Sequence, residues 1–207
     1  MRRLAKANVA LILSFCLNCS LVAVPKDYLT NDEQDIIRDA QELFARVPAY
    51  FKLAERRLIA LGVKERTEAD KEKERKEEQQ RIKQQQREGT RAGVPKPPAN
   101  SGKPPEDPLE YLNDFTKPEL LRGYIQILDE IMTNIDDSYS RKLDVRDSIE
   151  DLEKFARETI PLVEKFQPRN DNERAAREDA IEKAKQTVTS AKNALNVVPK
   201  TEKKRKQ

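Results

Sequence analysis

The chain has 207 residues, 37% of them charged and 5% aromatic, with no Trp, no His and a mean hydropathy of −0.86. Its core must therefore come from Leu, Ile, Val and Ala with a few Phe and Tyr, a composition that suits packed helices better than a sheet. Without His, and with its two cysteines at positions 16 and 19, the chain lacks the central residues of nucleophilic triads and of the usual zinc sites.

Arg2, Arg3 and Lys6 precede an uncharged run from Val9 to Val24, which Pro25 closes. A basic start, an apolar middle and a small-residue end are the order of a secretory signal. The run of 16 residues reaches about 24 Å as a helix, short of the roughly 30 Å hydrocarbon core of a bilayer. A signal peptide over 1–23, cut after Ala23, is expected, with an uncleaved N-terminal anchor as the alternative. Cys16 and Cys19 fall inside this segment, so a Cys-x-x-Cys redox site would leave with it. Phe15 and Asn18, neither of them small in the way lipid attachment needs, precede the two cysteines. The 40 basic residues exceed the 37 acidic ones only through Arg2, Arg3 and Lys6. A cleaved chain is then neutral, with no global field to collect nucleic acid or an anionic membrane.

Residues 24–63 form the first helical segment of the expected bundle. Thr30 and Glu33 make a capping box, and Ile36, Ile37, Ala40, Leu43, Phe44 and Val47 recur at helical spacing. Tyr50, Phe51, Ala54, Leu58 and Leu61 continue that stripe, which predicts a helix near 31–61 stopped by Gly62. Pro48 removes one backbone bond and clashes with the Phe44 carbonyl, so a kink or short break is expected there.

From 64 to 88 nine basic and eight acidic residues leave only Ala69 and Ile82 apolar. This stretch predicts a solvated helical arm, supported by pairs such as Glu72 with Lys76 and Glu77 with Arg81. Residues 89–108 carry six prolines and three glycines and read as a disordered, partly polyproline spacer. Pro97-Pro98 and Pro104-Pro105 could be ligands of a proline-binding module, but the spacer is the simpler reading.

Residues 109–198 form the second helical half. Thr116 and Glu119 make another capping box, and Leu121, Tyr124, Leu128, Ile131 and Ile135 follow in a heptad-like stripe, predicting a helix near 118–137. Asp136-Asp137-Ser138-Tyr139-Ser140 is weak in helix propensity. A turn there would let this stripe pair with the next, Val145, Ile149, Leu152, Ala156, Val163 and Phe166, on a helix over 141–166; one long helix is the alternative. Asn170 caps a last helix over 171–196, whose face of Ala176, Ala180, Ile181, Ala184, Val188, Ala191 and Leu195 buries little area. That helix is expected to be the least firmly held. Residues 199–207 form a basic disordered tail.

Candidates for chemistry are few, and no catalytic, cofactor or metal residue is expected. Asp136 and Asp137 beside Ser138 lack the alternating carboxylates and glycine of a calcium loop, so they read as a helix end. No phosphate-binding glycine loop occurs. Lys203-Lys204-Arg205-Lys206 has no interleaved aromatic for base stacking, so it reads as a solvated tail, with weak contact with an anionic envelope surface as the alternative, rather than a nucleic-acid site. Tyr111, Phe115 and Tyr124 could form an exposed aromatic patch, but core packing accounts for them.

The expectation is therefore an all-α protein: a bundle of about four helices, a charged helical arm and a Pro-rich linker. It reads as an exported, periplasmic or extracellular interaction, scaffolding or holdase-type protein that meets a protein partner, or itself, through its helical stripes. No small-molecule substrate is evident. The alternatives are a spacer held to the membrane by the N-terminal segment, and a carboxylate-dependent enzyme.

Overall fold

The structure is a computed structural model that describes residues 27–80 other than 74, 77 and 78, together with 107 and 109–199. The expected signal peptide, most of the Pro-rich linker and the basic tail from 200 onward lie outside the described residues. All regular structure among the described residues is helical. None of these helices is long and apolar enough to cross a membrane.

Helix α1 spans Asn31–Asp39, and Thr30 caps it through the expected box with Glu33. Helix α2, Leu43–Ala60, is separate from it, so the single helix expected over 31–61 is two. Of the kink or short break expected at Pro48, the break does not occur there. The proline sits in the second turn of α2, where its missing N–H removes the bond that residue 48 would otherwise make to the Phe44 carbonyl in the first turn. The break falls instead at residues 40–42. There Arg46 Nε donates to the Ala40 carbonyl at 2.8 Å and Nη2 to the Gln41 carbonyl at 3.2 Å. Gly62, at φ 78°, ends α2 in a left-handed turn that a side chain would strain.

Residues 68–80 are helical where described and mostly exposed. Thr67 and Asp70 exchange backbone-to-side-chain hydrogen bonds at their start, and Lys76 pairs with Glu72 at 2.8 Å. The second half begins with a short 3-10 turn, Glu110–Asp114, which buries Leu112.

Helix α3, Lys117–Ser140, opens on the Thr116–Glu119 box, with Pro118 in its first turn. Its heptad-like stripe becomes the centre of the core, with Leu121, Tyr124, Ile127, Leu128 and Ile131 fully buried. The expected turn over Asp136–Ser140 is in fact helix. Ser138 is only 3% exposed, so the stripe needs that turn in helical phase, and Asp137 pairs with Arg141 across the helix end. Reversal comes at Lys142, a non-glycine residue at φ 62°. Helix α4 spans Arg146–Lys165 and carries Pro161 inside it, while α5 spans Asp171–Val197 and is capped by Asn170.

Helices α2 and α3 run antiparallel, since Arg46 reaches Asn134 at 3.0 Å near one end and Lys117 reaches the Ala60 carbonyl at 2.7 Å near the other. Helix α5 runs parallel to α3, with Arg122 on Asn172 at 3.2 Å and Lys183 paired with Asp129. It lies antiparallel to α4, where Arg146 donates to the Val198 carbonyl at 2.8 Å and Arg177 to the Glu164 carbonyl at 2.7 Å. Phe51 and Phe155 stack at 4.4 Å between α2 and α4. The packing thus runs α2 to α3 to α5 to α4 and back to α2, which fits a helical bundle.

The stripes of α3 and α4 were expected to pair; these successive helices lie across the diagonal, with few close backbone approaches, and meet through core side chains such as Tyr124 and Thr159. Helix α5, expected to be the least firmly held, makes more close backbone approaches to α4 than any other pair of described helices makes. Ala176, Ala180, Ala184 and Ala191 are buried, and their small side chains let the backbones of α4 and α3 come close, so many thin contacts replace a few thick ones.

Candidate functional site

Two features stand out beyond core packing: a buried polar junction and one apolar end. The junction is built on Glu33 and Arg57, each about 1% exposed. Arg57 Nη1 and Nη2 donate to Glu33 Oε1 and Oε2 at 2.9 and 2.8 Å, the two-toothed geometry that favours arginine over lysine. Nη1 also donates to the Leu53 carbonyl at 2.9 Å and Nη2 to the Tyr28 carbonyl. Glu33 accepts further from the Tyr111 hydroxyl at 2.8 Å and the Thr30 N–H at 3.1 Å. Burial, then the Glu33 charge, push the Tyr111 hydroxyl well above its usual range, so it stays a donor. Gly123 of α3 lies against the guanidinium, since a Cβ there would be 2.7 Å from Arg57 Nε.

This junction ties the lead into α1, the helix α2, the 3-10 turn and α3 to one another. Every carboxylate oxygen is satisfied, and at about 1% exposure neither charge is reachable by a substrate. It is therefore a structural pin. Thr30 and Glu33 were legible as a cap; that the same carboxylate would also anchor Arg57 was not. The available signal was Gly123, a glycine inside a strong helical stripe, which marks close approach by a neighbour.

A second polar contact is buried in the core, where the Tyr124 hydroxyl and Thr159 Oγ1 lie 2.6 Å apart. Thr159 in turn donates toward the Phe155 carbonyl at 3.0 Å. Burial holds the Tyr124 hydroxyl up at about 12. Tyr124 is thus core and Tyr111 part of the pin; with Phe115 partly buried against the core, the three do not form an exposed patch. Asp136 and Asp137 are exposed at the end of α3, with Asp137 on Arg141. No group of three or more acidic side chains is arranged to hold a metal among the described residues.

The apolar end follows from the helix directions. The N-termini of α2 and α4 and the C-termini of α3 and α5 share one end of the molecule. The large hydrophobic side chains left exposed among the described residues all belong to that end: Phe44 at 75%, Val197 at 73%, Leu143 at 49% and Tyr139 at 48%. Phe44 was expected on the buried stripe. The buried face of α2 begins at Val47 and runs through Tyr50, Ala54 and Leu58, and Phe44 projects from the first turn, beyond it.

No family model, no curated protein and no solved structure matches this chain.

Proposed function

We propose that this protein is a non-catalytic helical interaction module, exported to the cell envelope, that holds a protein partner at the apolar end of a four-helix bundle. The observation that carries the reading is the gathering of Phe44, Tyr139, Leu143 and Val197 at one end. Scattered exposed apolar residues need no explanation, but a set gathered at one end of the helices supports a contact surface there. Export rests on the basic and apolar order of residues 1–25. The charged arm and Pro-rich linker then act as an appendage between the first and second halves of the bundle.

The test places a photo-crosslinking residue at Phe44 or Val197 of the full chain in its native cell, with Arg169 at the opposite end as control. Adducts with an envelope protein at the first two positions and none at the control are expected. Equal labelling at all three, or none, overturns the reading. Mass spectrometry of the native N-terminus checks export, since a chain starting near Val24 is expected.

A further inference from the structure

We propose a binding site for a phosphate group at the root of the charged arm, remote from the apolar end. A cleft of about 190 Å³ opens where the second half of α2, the turn after it and the start of the arm meet. Its walls carry five cationic side chains, Lys52, Arg56, Lys64, Arg66 and Lys73, against three carboxylates, Glu55, Glu65 and Asp70.

The carboxylates do not neutralise the cleft evenly. Glu55 is engaged by Lys64, and Asp70 by the N–H and hydroxyl of Thr67 at 3.0 and 2.7 Å. Arg66 has a side chain only 6% exposed and is held in place by Asp107 at 2.8 Å, which fixes a guanidinium at the wall. Arg56 lines the same cleft, and its Nε is buried without a hydrogen-bond partner among the described residues.

With Asp107, which pairs with Arg66 at the wall, the five cations face four carboxylates, an excess of one positive charge toward the roughly −1.5 to −2 of a phosphomonoester at neutral pH. Arginine presents paired donors to phosphate oxygens, and lysine adds a point charge. The cations come from α2, the turn and the arm, so a bound phosphate would join the arm to the helical body. The apolar surface plays no part in this, and each reading can fail without the other.

The experiment is calorimetric titration of the full chain, in a phosphate-free buffer, with inorganic phosphate and with phenyl phosphate. A parallel arm measures co-sedimentation with vesicles of phosphatidic acid in phosphatidylcholine against phosphatidylcholine alone. Saturable one-to-one binding of phosphate or its ester is expected, weakened at least tenfold by Arg56→Gln and by the exposed Lys73→Gln, while Lys117→Gln changes nothing. Retention by phosphatidic acid vesicles that phosphate competes away assigns the group to a lipid; binding of the soluble ligands alone assigns it to a free ester. No saturable binding in any arm overturns the proposal, as does undiminished binding by the folded Lys73→Gln protein.

Discussion

Glu33, at the start of α1, and Arg57, near the end of α2, form a two-toothed ion pair in the interior, 24 residues apart in sequence. Breaking such a pair leaves one charge buried and alone, at a cost of about 3–5 kcal/mol, whereas replacing both partners by apolar groups is often neutral. Arg57→Met and Glu33→Leu are each expected to lower the urea-unfolding free energy by about that amount. The double variant is expected to recover a large part of the loss. Additive losses in the double-mutant cycle would refute the pairing.

Gly123 exists for that pair. A Cβ at this position would stand 2.7 Å from Nε and 3.1 Å from Cδ of Arg57, a side chain already pinned at both Nη atoms. Alanine normally stabilises a helix by about 1 kcal/mol over glycine. Here Gly123→Ala is expected to destabilise by about 1–3 kcal/mol because Arg57 must shift away from Glu33. Denaturant midpoints of wild type and variant decide the sign.

The closeness of α5 to its neighbours gives a second overpacking test. Ala180 and Ala184 are 0% exposed. Ala184→Leu is expected to lose about 1–3 kcal/mol, despite a more apolar side chain, because the backbones leave no room. Thermal unfolding followed by circular dichroism reads this directly, and a raised midpoint would show that α5 is loosely packed.

Tyr124 makes stability depend on alkaline pH. Burial pushes its hydroxyl from the ordinary 10.0 to about 12, so the folded state keeps the proton that the unfolded chain releases first. Its contribution is complete below pH 10 and is lost as pH rises toward 12, about 3 kcal/mol in all. The burial-raised hydroxyls of Tyr28, Tyr50 and Tyr111 act in the same direction. Unfolding free energies measured from pH 8 to 12 should fall above pH 10, and less steeply for Tyr124→Phe.

Phe44 is expected to separate folding from contact. Exposed at 75%, it contributes little to the core, so Phe44→Glu should change the unfolding free energy by less than about 0.5 kcal/mol. Crosslinking to an envelope partner from Val197 should nevertheless fall severalfold in this variant. A stability loss above 2 kcal/mol would place Phe44 in the core instead.

Legible in the sequence were the helical class seen throughout the described residues, the caps at Thr30, Thr116 and Asn170, and the stripe from Leu121 to Ile135 that became the core of α3. These are local: a cap depends on a residue three positions away, and a stripe on a repeat of three or four. Only the assembled helices show that α3 lies beside α2 and α5 and across the diagonal from α4, since stripes of equal quality do not encode which helices become neighbours. Tertiary structure also decided that Ser138 stays helical, that Phe44 leaves the core, and that the capping carboxylate of Glu33 receives Arg57. Each of those depends on where distant segments arrive, and the free energy of desolvating two charges, or of bringing alanine faces together, is settled only once they are there.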